Sequence, residues 1–206
     1  MKFNTYSLAI LVTLSAQAGM ATFAQATEYT VDKDHSHVGF MIRHLVGKVP
    51  GSFKDFEGAF NFDEKKPESF KGKFEIKTAS VDTANEKRDG HLKSADFFDS
   101  EKFPTMTFES KKAHSKGDKK FTVDGDLTLH GVTKPVTLEV EYTGTQKDPY
   151  GNTKAGFSAS TKLNRKDFGI VWNKTLDTGG TILGEDVKVD LDIEATAKIA
   201  DAAKKK

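Results

Sequence analysis

Across 206 residues, 31 Lys and Arg stand against 30 Asp and Glu, the mean hydropathy is −0.52, and there is no cysteine. A balance this near neutral argues against a nucleic-acid binder or a polyanionic surface. With no disulfide available and no thiolate nucleophile, stability rests on packing alone.

The N-terminal stretch carries the three parts of a secretory signal. Lys2 is a weak positive n-region, Leu8 to Leu14 an apolar run, and Ala24-Gln25-Ala26 an A-x-A cleavage site. The apolar run is too short for a membrane-spanning helix, and Gln17 and Gly19 break its continuation. The pattern predicts export across the inner membrane, cleavage after Ala26 and a periplasmic address. No cysteine follows the signal, so no lipid anchor is expected. Residues 1–26 are assigned to the signal peptide and 27–206 to one domain, a length at which a single all-β barrel is ordinary. The Lys204-Lys205-Lys206 tail reads as a frayed terminus.

Beyond residue 26 the apolar residues recur with period 2, the strand signal. Tyr29-Thr30-Val31 opens the series, and Val38, Phe40 and Ile42 share one face of the next segment. Val46 to Ser52, with two glycines and Pro50, reads as a turn or an irregular strand edge. Phe56, Gly58, Phe60 and Phe62 follow, then a polar hairpin connection over 63–67. Phe70, Gly72, Phe74 and Ile76 form the clearest strand, with Ala79 and Val81 continuing it.

The period changes once, between Asn85 and Phe108. Arg88, His91, Leu92 and Ala95 fall at i, i+3, i+4 and i+7, one face of a short helix. Phe97 and Phe98 come next, and Pro104 returns the chain to an extended path. Alternation resumes at Met106 and Phe108, and Lys111 to Lys120 reads as a loop. Phe121 to Leu129, Val136 to Tyr142, Ala155 to Leu163 and Val187 to Ile193 complete the strands. His130-Gly131 turns the chain after the first of these, and residues 147–152 carry a strong turn signal before the third. Residues 164–172 form a less regular connection.

About eight alternating strands predict an all-β, extended antiparallel closed barrel with a short helical crossover. The non-apolar face carries Lys71, Lys73, Glu75, Lys77, Asp124, Asp126, Glu139 and Glu141. Charges there would cost a few kcal/mol each against lipid, so water lies outside and the apolar set inside. The inner list mixes large rings (Phe40, Phe60, Phe62, Phe74, Phe108, Phe157) with Gly58, Gly72, Gly125 and Ala159. Two readings stay open: the large and small residues interdigitate to native density, or rows of small residues leave a groove walled by phenyl rings.

Several segments together resemble one family: YTVDKDHSHVGFMIRHL, SVDTANEKRDGHLKSADFFDSEKFPTMTF, VDGDLTLHGVTKPVTL and LNRKDFGI. They are similar to the periplasmic YceI family, also described as polyisoprenoid-binding or base-induced periplasmic proteins. The resemblance runs over essentially the whole chain after the signal. It implies a lipocalin-like barrel that holds a long-chain amphiphile such as a polyprenyl chain, an isoprenoid quinone or a fatty-acid derivative. It implies no enzyme activity, and no cofactor is expected.

The expected ligand wall is Phe40, Ile42, Phe60, Phe62, Phe74, Ile76, Phe108, Leu127, Leu129 and Phe157, with Phe97 and Phe98 sealing the slot from the crossover. Phe168 and Trp172 are either tail-binding or plain core. Arg88, His91 and Arg165 are the polar residues expected near the ligand mouth, where Arg offers a planar fork of donors to a polar head; alternatively Arg88 and Arg165 pair with Asp89, Asp96 or Asp167 and lock the crossover.

A metal reading of His35-Ser36-His37, with Asp34 and His44 nearby, lacks a third ligand fixed by spacing, and no metal is expected. A hydrolase reading lacks a G-x-S-x-G elbow. The expected partner is a long apolar small molecule, with transient contact to a membrane or membrane protein and room for a homodimer. The alternatives are an enzyme acting on such a lipid through His91, and a ligand-free barrel serving as a stress or interaction module.

Overall fold

The computed structural model describes residues 26–198. The predicted signal up to Gln25 and the C-terminal lysines 204–206 lie outside the described residues. Eleven strand segments form one antiparallel sheet: β1 (Thr27–Val31), β2 (His37–His44), β3 (Gly47–Phe53), β4 (Phe56–Phe62), β5 (Lys71–Lys77), β6 (Val81–Asp82), β7 (Thr105–Gly117), β8 (Lys120–Leu129), β9 (Val132–Lys147), β10 (Thr153–Asn164) and β11 (Leu183–Ala197).

Three pairs of these segments are single long strands broken by a kink. A 3₁₀ turn at Lys33–His35 separates β1 from β2, Lys54 and Asp55 separate β3 from β4, and a 3₁₀ turn at Thr78–Ser80 separates β5 from β6. Counted this way, eight long strands run around the ring. β11 closes it, pairing with β10 along one edge and with both β1 (Val31 opposite Ala195) and β2 (Val38 opposite Leu191) along the other. Closure removes the sheet edges on which open sheets aggregate. Charged residues face outward in opposed pairs such as Lys73 and Glu109, as the alternation predicts.

Two segments depart from the sequence reading. Of the segment Val46 to Ser52, only Val46 is in a turn; Gly47 onward forms a regular strand, β3, with Pro50 opposite Met41. On its other side β3 pairs only through Ser52 and Phe53, so the proline sits where a missing N–H costs no ladder bond. Lys111 to Lys120 is not a loop. β7 runs on to Gly117, and the turn is the pair Asp118-Lys119, both at positive φ. Register shifts after Ser110 and Ser115 interrupt the period-2 pattern there; such bulges add an unpaired residue and hide a strand from an alternation count.

The end bearing the Asp118-Lys119 turn is packed solid. Phe60 stacks on Tyr29 at 5.5 Å and meets Phe157 edge-on at 5.2 Å, and Phe62 lies 5.6 Å from Phe121 and 5.1 Å from Tyr142. Phe121 retains 1% exposure. Each ring pair adds about 0.5–1.5 kcal/mol beyond area burial. The small residues leave no groove here, because neighbouring rings lie over the glycines. A Cβ on Gly125 would fall 2.4 Å from the Phe108 ring, and one on Gly72 would fall 2.6 Å from Phe60 Cβ.

At the opposite end the wall is incomplete. β7 begins at Thr105, level with Lys77 at the end of β5. Past that level the wall is continued by helix α1 (Glu86–Lys93) and residues 94–104. The helix ends two residues before the last position of the predicted face: Ser94 caps it, and Ala95 lies beyond.

Candidate functional site

Between the aromatic plug and α1 the barrel is hollow. A narrow compartment of about 180 Å³ leads into a wider one of about 370 Å³, and Phe40, Phe53, Met106, Leu129, Leu163 and Val189 line both. The narrow part is walled almost wholly by carbon. Phe60, Phe74, Ile76, Phe108, Leu127 and Phe157 lie on it, and Thr161 and Glu57 are its polar lining residues. The wide part takes Ile42, Phe97, Phe98, Phe168 and Trp172, and also His44, Thr83, Arg88, His91 and Arg165. The Arg and His side chains are thus confined to one end of the slot.

Of the residues expected to wall a ligand, Phe62 alone lines neither compartment; its place at the far end of β4 puts it inside the aromatic plug. Phe53 was missed, although it lines both compartments and packs edge-on against Phe98 at 5.4 Å. The signal for it was present: Phe53 continues the spacing of Gly47, Val49 and Gly51 in the segment read as irregular.

The crossover is fastened by backbone chemistry close to its start. Asn85 caps α1 by accepting from the Arg88 N–H, a favourable N-cap. Arg88 folds back and donates from Nε to Thr83 Oγ1 and from Nη2 to Thr83 O, both at 2.7 Å. Asp89 accepts from the Thr83 N–H and hydroxyl. Arg88 therefore pins the helix to the end of β6, and its partner is a threonine, not one of the carboxylates expected. His91 sits 2.8 Å from Asp96 and packs edge-on against Trp172 at 4.9 Å and Phe97 at 5.0 Å. That cluster joins the crossover to the segment before β11 and roofs the wide compartment. Asp89 and His91, both on the helix, thus each bond a different partner.

Arg165 lies at the base of the wide compartment with 4% exposure. The 3₁₀ turn Arg165–Phe168 follows β10 directly, capped by Asn164. Nε donates to Gly184 O at 2.9 Å and Nη1 to Ile170 O at 2.7 Å. Nη2 is buried and has no acceptor among the described residues. Burial pushes the guanidinium below its ordinary pKa, with Glu185 opposing the shift. The predicted pairing with Asp167 is replaced by these carbonyls.

The histidines of the metal reading separate. The His37 ring lies over Gly39, with Nε2 2.5 Å from where a Cβ there would stand, and His44 lines the wide compartment. His35 instead joins Asp32 and Glu194, whose ligand atoms lie within 4.8 Å of one another. Tertiary structure supplies the third group that local spacing lacked. Lys154 already occupies the centre, with Nζ 2.5 Å from Asp32 and 3.3 Å from Glu194. Its hydrogen bond holds the Asp32 carboxyl at about 2, and its charge opposes a cation in the same place.

Fold and site define a class: a closed antiparallel barrel of the lipocalin-like kind, plugged at one end and hollow at the other. The chain belongs to the YceI family, whose YceI-like domain matches residues 29–195. It is 47% identical over 167 residues to a UPF0312 protein of Azotobacter vinelandii, covering 80% of this chain and 86% of the relative. Among solved structures it is similar to Burkholderia cenocepacia BcnA, with a TM-score of 0.72 and 25% identity over 81% of this chain and 99% of the other. A polyisoprenoid binding domain from Saccharophagus degradans shares the fold, with a TM-score of 0.59 at 14% identity over 82% of this chain and 98% of that one.

Proposed function

We propose that this protein carries or sequesters a long-chain amphiphile, a polyisoprenoid, an isoprenoid quinone or a fatty-acid derivative, inside the barrel. The observation that carries this reading is the one-sided slot: a carbon-walled narrow part continuous with a wider part where all the basic lining groups gather. Such a shape suits an apolar tail in the narrow compartment and a polar head under α1. Each methylene removed from water contributes about 0.8 kcal/mol, enough for a chain of modest length to bind without a strong head contact. The fold shared with a polyisoprenoid binding domain and membership of the YceI family support the same ligand class.

The proposal sets this work in the periplasm, with transient contact to a membrane or membrane protein as donor or acceptor; the signal-like pattern of residues 1–26 supports that address. The reading contains no catalytic step, and His91 serves it as a roof residue. Organic extraction of natively purified protein followed by mass spectrometry tests it. A stoichiometric long-chain amphiphile is expected, and repeated recovery of none sinks the carrier reading.

A further inference from the structure

The ionisable groups lining the wide compartment are His44, Arg88, His91 and Arg165, and no carboxylate is among them. Nearby acids are engaged elsewhere: Asp89 with Thr83, Asp96 with His91 and Glu185 with Lys166. Arg88 spends Nε and Nη2 on Thr83. Arg165 is different in kind. Its guanidinium is buried, it makes no salt bridge with the described residues, and its two hydrogen bonds go to neutral carbonyls while Nη2 has none. Arginine stays protonated in proteins, and a buried cation without a counter-ion is unfavourable. In an apolar cavity its field is weakly screened and reaches across the compartment.

We infer that the wide compartment selects an anionic head, a carboxylate or a phosphate, which neutralises the charge that Arg165 places beneath it. The inference rests on the carrier reading and adds to it the sign of the head group and the residue that sets it. A neutral head would leave the buried cation uncompensated, whereas an anionic one completes a charge-assisted contact.

Trp172, the single tryptophan, lines the same compartment, so its fluorescence reports occupancy. The purified protein is titrated with three probes of equal chain length: hexadecanoate, hexadecyl phosphate and hexadecanol. At least one anion is expected to bind on the order of tenfold or more tighter than the alcohol. A preference shown by only one of them identifies the carboxylate or the phosphate as the natural chemistry. Arg165→Met should abolish the preference, weakening the anions far more than hexadecanol.

If that variant fails to fold for want of its carbonyl staples, an Arg88→Met/His91→Gln double variant decides instead. Preference retained there assigns the selection to the deeper charge, and preference lost overturns the assignment to Arg165. Equal binding of alcohol and both anions by the unaltered protein overturns the inference and leaves the carrier reading standing. Binding of none of the three overturns both.

Discussion

Adding the same kind of bulk at two inward positions should give opposite results, because one faces the void and the other faces a packed ring. Ala159 lines the narrow compartment between Val140 and Leu191. In Ala159→Phe the new ring enters space that no side chain fills, so stability should change by less than about 1.5 kcal/mol. Gly72 has no such space: a Cβ there would fall 2.6 Å from Phe60 Cβ and 3.0 Å from the Phe74 ring. Gly72→Leu must displace packed rings at about 1–3 kcal/mol, a fall in Tm of roughly 2–12 °C for a domain this size.

Binding should move the other way. A ring that excludes three tail methylenes removes about 2.4 kcal/mol, roughly a fifty-fold loss of affinity. Circular-dichroism melting gives the stability of each variant, and Trp172 fluorescence with a long-chain probe gives the affinity. If Ala159→Phe melts as low as Gly72→Leu, the narrow compartment is not available space. If it melts normally and binds with unchanged affinity, the tail does not lie there.

Phe97→Ala removes a buried ring from the roof; it should cost about 3–5 kcal/mol, seen in urea unfolding, and speed ligand exchange in stopped-flow displacement. Arg88→Ala deletes both hydrogen bonds to Thr83; at about 0.5–1.5 kcal/mol each, the amides of α1 should exchange measurably faster while those of β8 to β10 keep their protection. Asp32 is held at about 2, below its ordinary 3.8, first by the hydrogen bond from Lys154. A depressed carboxyl stabilises the fold above its unfolded pKa, so that increment, about 1 kcal/mol after solvent screening, should be lost as pH falls from about 4 to 2. Lys154→Met should flatten that part of the urea-midpoint profile, and an unchanged profile would show that the network contributes nothing.

The split between plug and slot explains why part of the site was readable in the sequence and part was not. Period 2 states which face a residue takes, and it placed Phe40, Phe60, Phe74, Phe108 and Phe157 inside. It says nothing of height along the barrel axis, which depends on the stagger between neighbouring strands. Phe60 and Phe62 are two residues apart on the same face of β4, yet the first reaches the slot while the second is wholly within the plug. The bulges of β7 disguised one strand by breaking the alternation by which strands are recognised, and the glycines and proline of β3 disguised another by reading as turn residues. With β3 read as an irregular edge, Phe53 was not counted among the inward residues.

By itself, then, the order of residues determined an all-β closed barrel, the charged outer face, the number of long strands and the helical crossover. Those are local properties, set by side-chain alternation, turn chemistry and the helix period. Tertiary structure alone decided where the interior is filled and where it is empty, since that depends on which rings from distant strands come to rest over which glycines. It also decided the role of Arg165. One acceptor, Ile170 O, is local, five residues on, but the other, Gly184 O, comes from β11, and only the pairing of distant segments brings it to the guanidinium and leaves Nη2 without a partner.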